Sequence, residues 1–277
     1  MESDRYAASA AASVEPAGRT GGTVFKVLSN ILVIVEMELR KLRHDPTELF
    51  TRAVQPVLWL LIFGQAFSRV RAFETSGVTY QTYMTPGILS QSVMFTAIFF
   101  GLSTIWERDM GILQKFLAMP IPRVALVLGK ALAAGIRALS QAIIISLLAA
   151  ITGIPLHWHP VILLAATGVI ILGAAFFAIL SMIIAAIVKT RERFMGIGQL
   201  ITMPLFFASN ALYPISIMPG WLRVVASVNP LSYMVDFLRN ALVHGQLTSW
   251  RADTGFLLLA CSLATAVGTY LYPRIAA

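Results

Sequence analysis

Six stretches of this chain are apolar over about 19 residues or more: Leu49 to Phe67, Met84 to Ile105, Val124 to Ile151, Val161 to Val188, Phe194 to Leu212 and Thr254 to Tyr272. An apolar run of roughly 18 residues or more is long enough to cross the ~30 Å hydrocarbon layer of a bilayer as a helix. A soluble fold of 277 residues could bury one sizeable core, but it could not hide six such blocks. Charged residues make up only 12% of the chain, about half the ~25% usual for soluble domains. Mean hydropathy is +0.77. The sequence therefore predicts an all-α membrane protein with six transmembrane helices.

The remaining segments predict three further features. Residues 1–22 are rich in Ala, Ser and Gly and read as a disordered cytoplasmic tail rather than a signal peptide. From 24 to 44, Phe25, Leu28, Leu32, Val35, Leu39 and Leu42 recur every three or four residues, while Glu36, Arg40 and Arg43 fall largely on the other side. That pattern predicts an amphipathic helix lying in the membrane interface. From 214 to 245, Pro214, Pro219 and Pro230 break an otherwise apolar run that also carries Arg223, Asp236 and Arg239. A continuous span is excluded there by prolines and charge. Two short helices are expected instead: one opened by Pro219, and one capped by Asn229, started by Pro230 and ended at Gly245. Such irregular backbone is tolerated only against protein or a watery cavity. The pair is thus expected as a partly inserted hairpin between spans five and six on the outer side, with Trp221 and Tyr233 among its aromatics.

The net charge of +8 would suggest nucleic acid in a soluble protein. In a multi-span protein, excess Lys and Arg instead mark cytoplasmic loops. Sixteen Lys and Arg fall on the side of the N-terminus, the loop after span two, the turn after span four and the C-terminus, against five on the other side. Both termini are therefore expected in the cytoplasm, and no nucleic-acid partner is implied.

Chemistry-bearing motifs are few. A phosphate-binding loop needs Gly-x-x-x-x-Gly-Lys-Ser/Thr. Gly129-Lys130 comes nearest, and it fails at Val124 and Ala131. No nucleotide site is expected in this chain. The lone Cys261 excludes an intrachain disulfide and a cysteine metal cluster. His157 and His159 sit in a short turn with no third ligand nearby in sequence, so no metal site is expected. The carboxylates are expected only in the tail, loops, interfacial helix and outer hairpin, which argues against an ion-coupled carrier with an acidic relay inside its spans. A membrane-embedded enzyme is a further alternative without a supporting motif. Gln91, Gln199 and Asn210 lie inside spans, and either line a path or hydrogen-bond between helices. Residues 106–123 form a long inner-face stretch, charged at its start and amphipathic in its middle. An apolar stripe within a charged rim suits docking of a partner.

These motifs resemble one family. Glu107-Arg108, Gly111, Leu113, Leu117, Pro120-Ile121 and Arg123 are similar to the segment after the second span of type-2 ABC exporter permeases. Ser209 to Ser216 with Met218 to Leu222 resembles that family's fifth-span exit, and Asn229 to Tyr233 with Asp236, Arg239 and Gly245 its outer helix. The likeness covers about residues 25–273 and is nearest the drug-resistance, nodulation-factor and lipid-linked glycan branch. The resemblance implies a permease subunit that pairs with a second permease copy in the bacterial cytoplasmic membrane. It implies a separate ATP-binding cassette subunit that supplies ATP and Mg2+ and docks on a coupling helix within 106–123. Glu107, Arg108, Gly111, Leu113, Phe116, Leu117 and Pro120 are then the docking residues, with Gly111 allowing close approach and Phe116 filling a pocket. Residues 24–44 become an elbow that clamps the ATPase region.

Overall fold

The computed structural model describes residues 20–44, 47–68, 77–118, 121–188 and 190–276. Among them every regular element is a helix. Helix α1 spans Thr20–His44, and α2 spans Thr47–Leu58. A π-helical turn, Trp59–Phe63, joins α2 to α3, Gly64–Ser68. Helix α4 is Tyr80–Asp109, α5 Ile112–Ala118, α6 Arg123–Ile151, α7 Pro160–Ile187 and α8 Arg191–Phe207. A 3-10 turn, Ile215–Ile217, leads to α9, Gly220–Val228, α10, Pro230–Leu242, and α11, Trp250–Ala276.

Four helices are long and apolar enough to cross a membrane: α4, α6, α7 and α11. The predicted first span falls on α2 to α3, where Pro56 removes a helical donor and the π turn widens the helix. The predicted fifth span falls on α8, which has 17 residues and carries Pro204 within it. The expected tail lies outside the described residues up to residue 19.

Local chemistry fixes the ends. The Thr79 side chain accepts the backbone N–H of Thr82 to start α4, and Thr190 accepts that of Arg193 to start α8. Pro160 takes the first position of α7, where its missing N–H costs nothing.

Helix α7 is the hub and packs against α4, α6 and α11. Helix α10 lies in the groove between α7, α11 and α4, while α1 rests on α6. Small residues let backbones approach closely. A Cβ on Gly87 would stand 2.3 Å from the Ala211 carbonyl oxygen, and one on Gly129 would meet Ile34 at 2.9 Å. Gly129 is thus an α1-packing residue. Its neighbour Lys130 is 1% exposed, so the pair that loosely matches a phosphate loop sits sealed inside a helix interface.

Candidate functional site

The end of α4 gathers charged side chains from α1, α6 and α8 around its own Glu107, Arg108 and Asp109. Gly111 has φ +69°, a left-handed conformation that lets α4 stop and α5 turn away. A Cβ there would meet only Gln114, at 3.7 Å, so Gly111 serves the backbone turn. The sequence reading makes Glu107 a docking residue at the charged start of the inner-face stretch. It is instead 3% exposed and accepts a hydrogen bond from the Lys130 ammonium of α6. Glu38 of α1 and Tyr272 of α11, both buried, lie within electrostatic reach of Lys130. One helical turn places Glu107 inward and leaves Arg108 and Asp109 outward. This centre therefore joins α1, α4, α6 and α11 beneath the turn into α5. Lys130 and Arg137, which the sequence places near the start of the third span, both lie buried in α6, where Arg137 stands over the Phe100 ring at 5.3 Å. A carboxylate is therefore buried in the bundle, contrary to the expectation of acids only at its margins.

A second tie runs along the surface. Arg191, at the start of α8, donates to Asp109 at 2.8 and 3.1 Å, and its guanidinium lies 3.5 Å from the Trp106 ring centroid. Arg108 donates to the other oxygen of Asp109 at 3.0 and 3.2 Å. The end of α4 is thus fastened to α8 as well as to the buried centre.

Helix α5 shows which side remains open. Leu113 is fully buried, and Phe116 and Leu117 pack half-buried on the same apolar cluster with Ile34, Leu126, Val127 and Tyr272. The stripe expected to face a partner therefore turns largely toward the chain's own core, because α5 must cover the ends of α6 and α11. Exposed instead are Trp106, Met110, Gln114 and Lys115. Pro120 lies outside the described residues. Sequence periodicity misses Met110 because it sits in the turn between two helices.

On α1, Glu36 and Arg40 form an exposed pair at 2.7 Å, one turn apart. The side chain of Arg43 lies outside the described ones. Leu28, Leu32 and Val33 are exposed, whereas Ile34, Val35 and Glu38 face the bundle.

The opposite end carries a polar latch. Asn229 caps α10 by accepting the Leu231 N–H at 3.0 Å, and its amide donates to the Leu205 carbonyl at 2.7 Å. Arg239 donates to the Asn210 carbonyl at 2.7 Å, lies 3.9 Å from the Tyr83 ring centroid and approaches Asp236 at 3.6 Å. The Asn210 amide also donates to Asp236. Burial pushes the Asp236 carboxyl above the usual carboxylate range, and Arg239 pulls it partly back. Tyr233 donates to the Ser227 carbonyl at 2.7 Å and stacks on Phe256 at 4.0 Å. Pro214 precedes the 3-10 turn, Pro230 opens α10, and Trp221 is 70% exposed on α9.

Of the three polar residues weighed as path-lining, Asn210 belongs to this latch and Gln199 is exposed on α8. Gln91 is buried and lines a cleft between α2 and α4. No cluster of three metal-ligating side chains occurs among the described residues.

Comparison with known proteins agrees with this architecture. The family model described as ABC-2 type transporter matches residues 29–243. The putative transport permease ycf38 of Cyanophora paradoxa is 26% identical over 267 residues, 91% of each chain. The daunorubicin resistance ABC transporter permease protein DrrB1 of Streptomyces coeruleorubidus is 27% identical over 84% of this chain and 81% of its own length. Nodulation protein J of Rhizobium leguminosarum bv. viciae is 25% identical over 79% and 84%. With the model matching most of its length and apolar helices able to span a bilayer, this chain belongs to the ABC-2 type transporter family of membrane permeases.

Proposed function

We propose that the chain is the permease half of an ATP-driven exporter. In this reading it crosses the bacterial cytoplasmic membrane six times, using α2 to α3 and α8 as the two spans broken by proline, with both termini inside. Helices α9 and α10 form a partly inserted outer hairpin, and α1 lies in the inner interface as an elbow. Two copies form the path for a drug, lipid or lipid-linked glycan. A separate ATP-binding cassette subunit holds ATP and Mg2+ and docks within residues 106–123.

The observation that carries this reading is the anchorage of the α4–α5 segment. A partner pressing on Met110, Gln114 and Lys115 would push against the buried ion pair between α4 and α6, which Glu38 of α1 and Tyr272 of α11 flank, and against the Arg191 tie to α8. Force applied at one exposed turn thereby reaches most of the bundle. Buried Lys130 offers no phosphate cradle, which supports placing ATP in the partner. The test is co-purification of the chain with an ATP-binding cassette subunit. Met110→Asp and Lys115→Glu should cut its retention about tenfold, the scale of one interface anchor lost, without reducing membrane insertion. Unchanged retention in both variants would remove the docking role.

A further inference from the structure

Between α6 and α7 lies a cavity of about 320 Å³. Leu139, Ile143 and Leu147 of α6 line it, with Leu163 and Ile170 of α7 and Leu89 of α4. Trp158, just before α7, and Leu242, the last residue of α10, complete the wall at one end. No charged side chain lines it, and its hydroxyls are those of Ser146 and Thr167. The end wall is pinned, because the His157 N–H donates to the Leu242 carbonyl at 2.8 Å. The cavity is also continuous with the face that meets lipid. Ile143 and Leu147 line it and are themselves exposed, and Val161 and Leu164 are exposed beside it on α7. Both helices are long and apolar enough to cross a membrane.

Size and depth narrow the occupant. Ile170 stands ten residues into α7 from Pro160, and Leu89 nine into α4 from Tyr80. At ~1.5 Å per residue the cavity reaches about 15 Å below the helix starts, half of a ~30 Å hydrocarbon layer. The volume is about twice the ~150 Å³ that admits benzene, room for roughly a dozen carbon atoms. A water there would need two to four polar partners, and the lining is almost wholly aliphatic. A void open to hydrocarbon and lined by hydrocarbon gains dispersion contacts when a chain fills it.

We propose that this cavity holds one acyl chain of a bilayer phospholipid, taken in sideways from the leaflet on the Trp158 side. Trp158, 46% exposed at the mouth, sits where indoles anchor at the headgroup level, and its N–H donates to a lipid oxygen there. The seated chain touches α4, α6, α7 and the end of α10 together, so it braces the outer helix against the bundle. Only the choice of leaflet rests on the proposed topology, and the binding itself needs neither the ATPase nor transport.

The test reconstitutes the chain in phosphatidylcholine vesicles that contain a trace of phosphatidylcholine carrying a diazirine midway along one acyl chain. After irradiation, adducts are mapped by peptide mass spectrometry. The reference is residues 258–267 of α11, where Leu258, Leu259, Leu263 and Val267 are exposed without a cavity. Adducts within 139–147 and 163–170 should exceed those on the reference by about tenfold. Ala166 also lines the cavity, so Ala166→Phe fills it and should bring the two regions to parity, with unchanged α11 adducts reporting an intact bundle. Leu163→Ala widens the cavity and should keep the excess, which separates filling from a general packing defect. Parity in the unaltered chain, an undiminished excess in Ala166→Phe, or equal loss in both variants overturns the proposal. An inverted topology would move the site to the other leaflet without altering this pattern, so the lipid site and the export reading fail separately.

Discussion

At the scale of single residues, six charged side chains are buried among the described residues: Glu38, Glu107, Lys130, Arg137, Arg239 and Asp253. Desolvating Lys130 and Glu107 is costly, and their mutual attraction in a low dielectric returns that cost only while both are present. Lys130→Met should therefore destabilise by about 3–5 kcal/mol, the usual cost of stranding one buried partner. The double variant Glu107→Leu with Lys130→Met should lose clearly less than the sum of the two single changes, as a thermal-unfolding double-mutant cycle in detergent would show. Steric placement makes a second contrast. Gly87→Ala drives a methyl into the Ala211 backbone and should cost about 1–3 kcal/mol. Gly168→Ala meets nothing within 4 Å and should be neutral or stabilising by up to ~1 kcal/mol through helix propensity. Glu107 is legible in the sequence as part of a motif. Its partner is not, because Lys130 lies 23 positions on in the sequence, near the start of the third span, and nothing local links the two.

At the scale of elements, the long apolar helices and the Asn229-Pro230 start of α10 can be read directly, since length, periodicity and capping are local. Leu231, Val235, Leu238 and Leu242 form the expected buried face. What local pattern does not reveal is the direction in which a short amphipathic helix turns. Helix α5 has enough apolar residues to face either a partner or its own bundle, and only the ends of α6 and α11 decide between them. The π turn in α2 is likewise hidden, because Pro56 signals a kink but not the widened turn after it. The Arg191–Asp109 tie between α4 and α8 is half-exposed at 35% on both sides, so Arg191→Gln should change stability by only ~0–1 kcal/mol. It should nevertheless lower the cargo moved per ATP hydrolysed when both are measured in reconstituted vesicles. An unchanged ratio would limit the tie to holding the turn in place.

At the scale of the whole molecule, the two ends differ in kind: a charged centre beneath α5 and a hydrogen-bonded latch beside α9 and α10. The proposed topology is testable in intact cells on a Cys261→Ala background. Trp221→Cys, on the exposed face of α9, should react with an impermeant maleimide from outside, and Lys115→Cys only after permeabilisation. Arg239 is a poor reporter because it is 8% exposed. The reverse pattern of labelling would invert the orientation. The buried centre also sets an order of manufacture. Chains emerge from the ribosome N-terminus first, so the two acids at 38 and 107 are made before the ammonium at 130, and the phenol at 272 arrives last. The cation is thus made after both of its counterions, and the centre is sealed only once the phenol has followed.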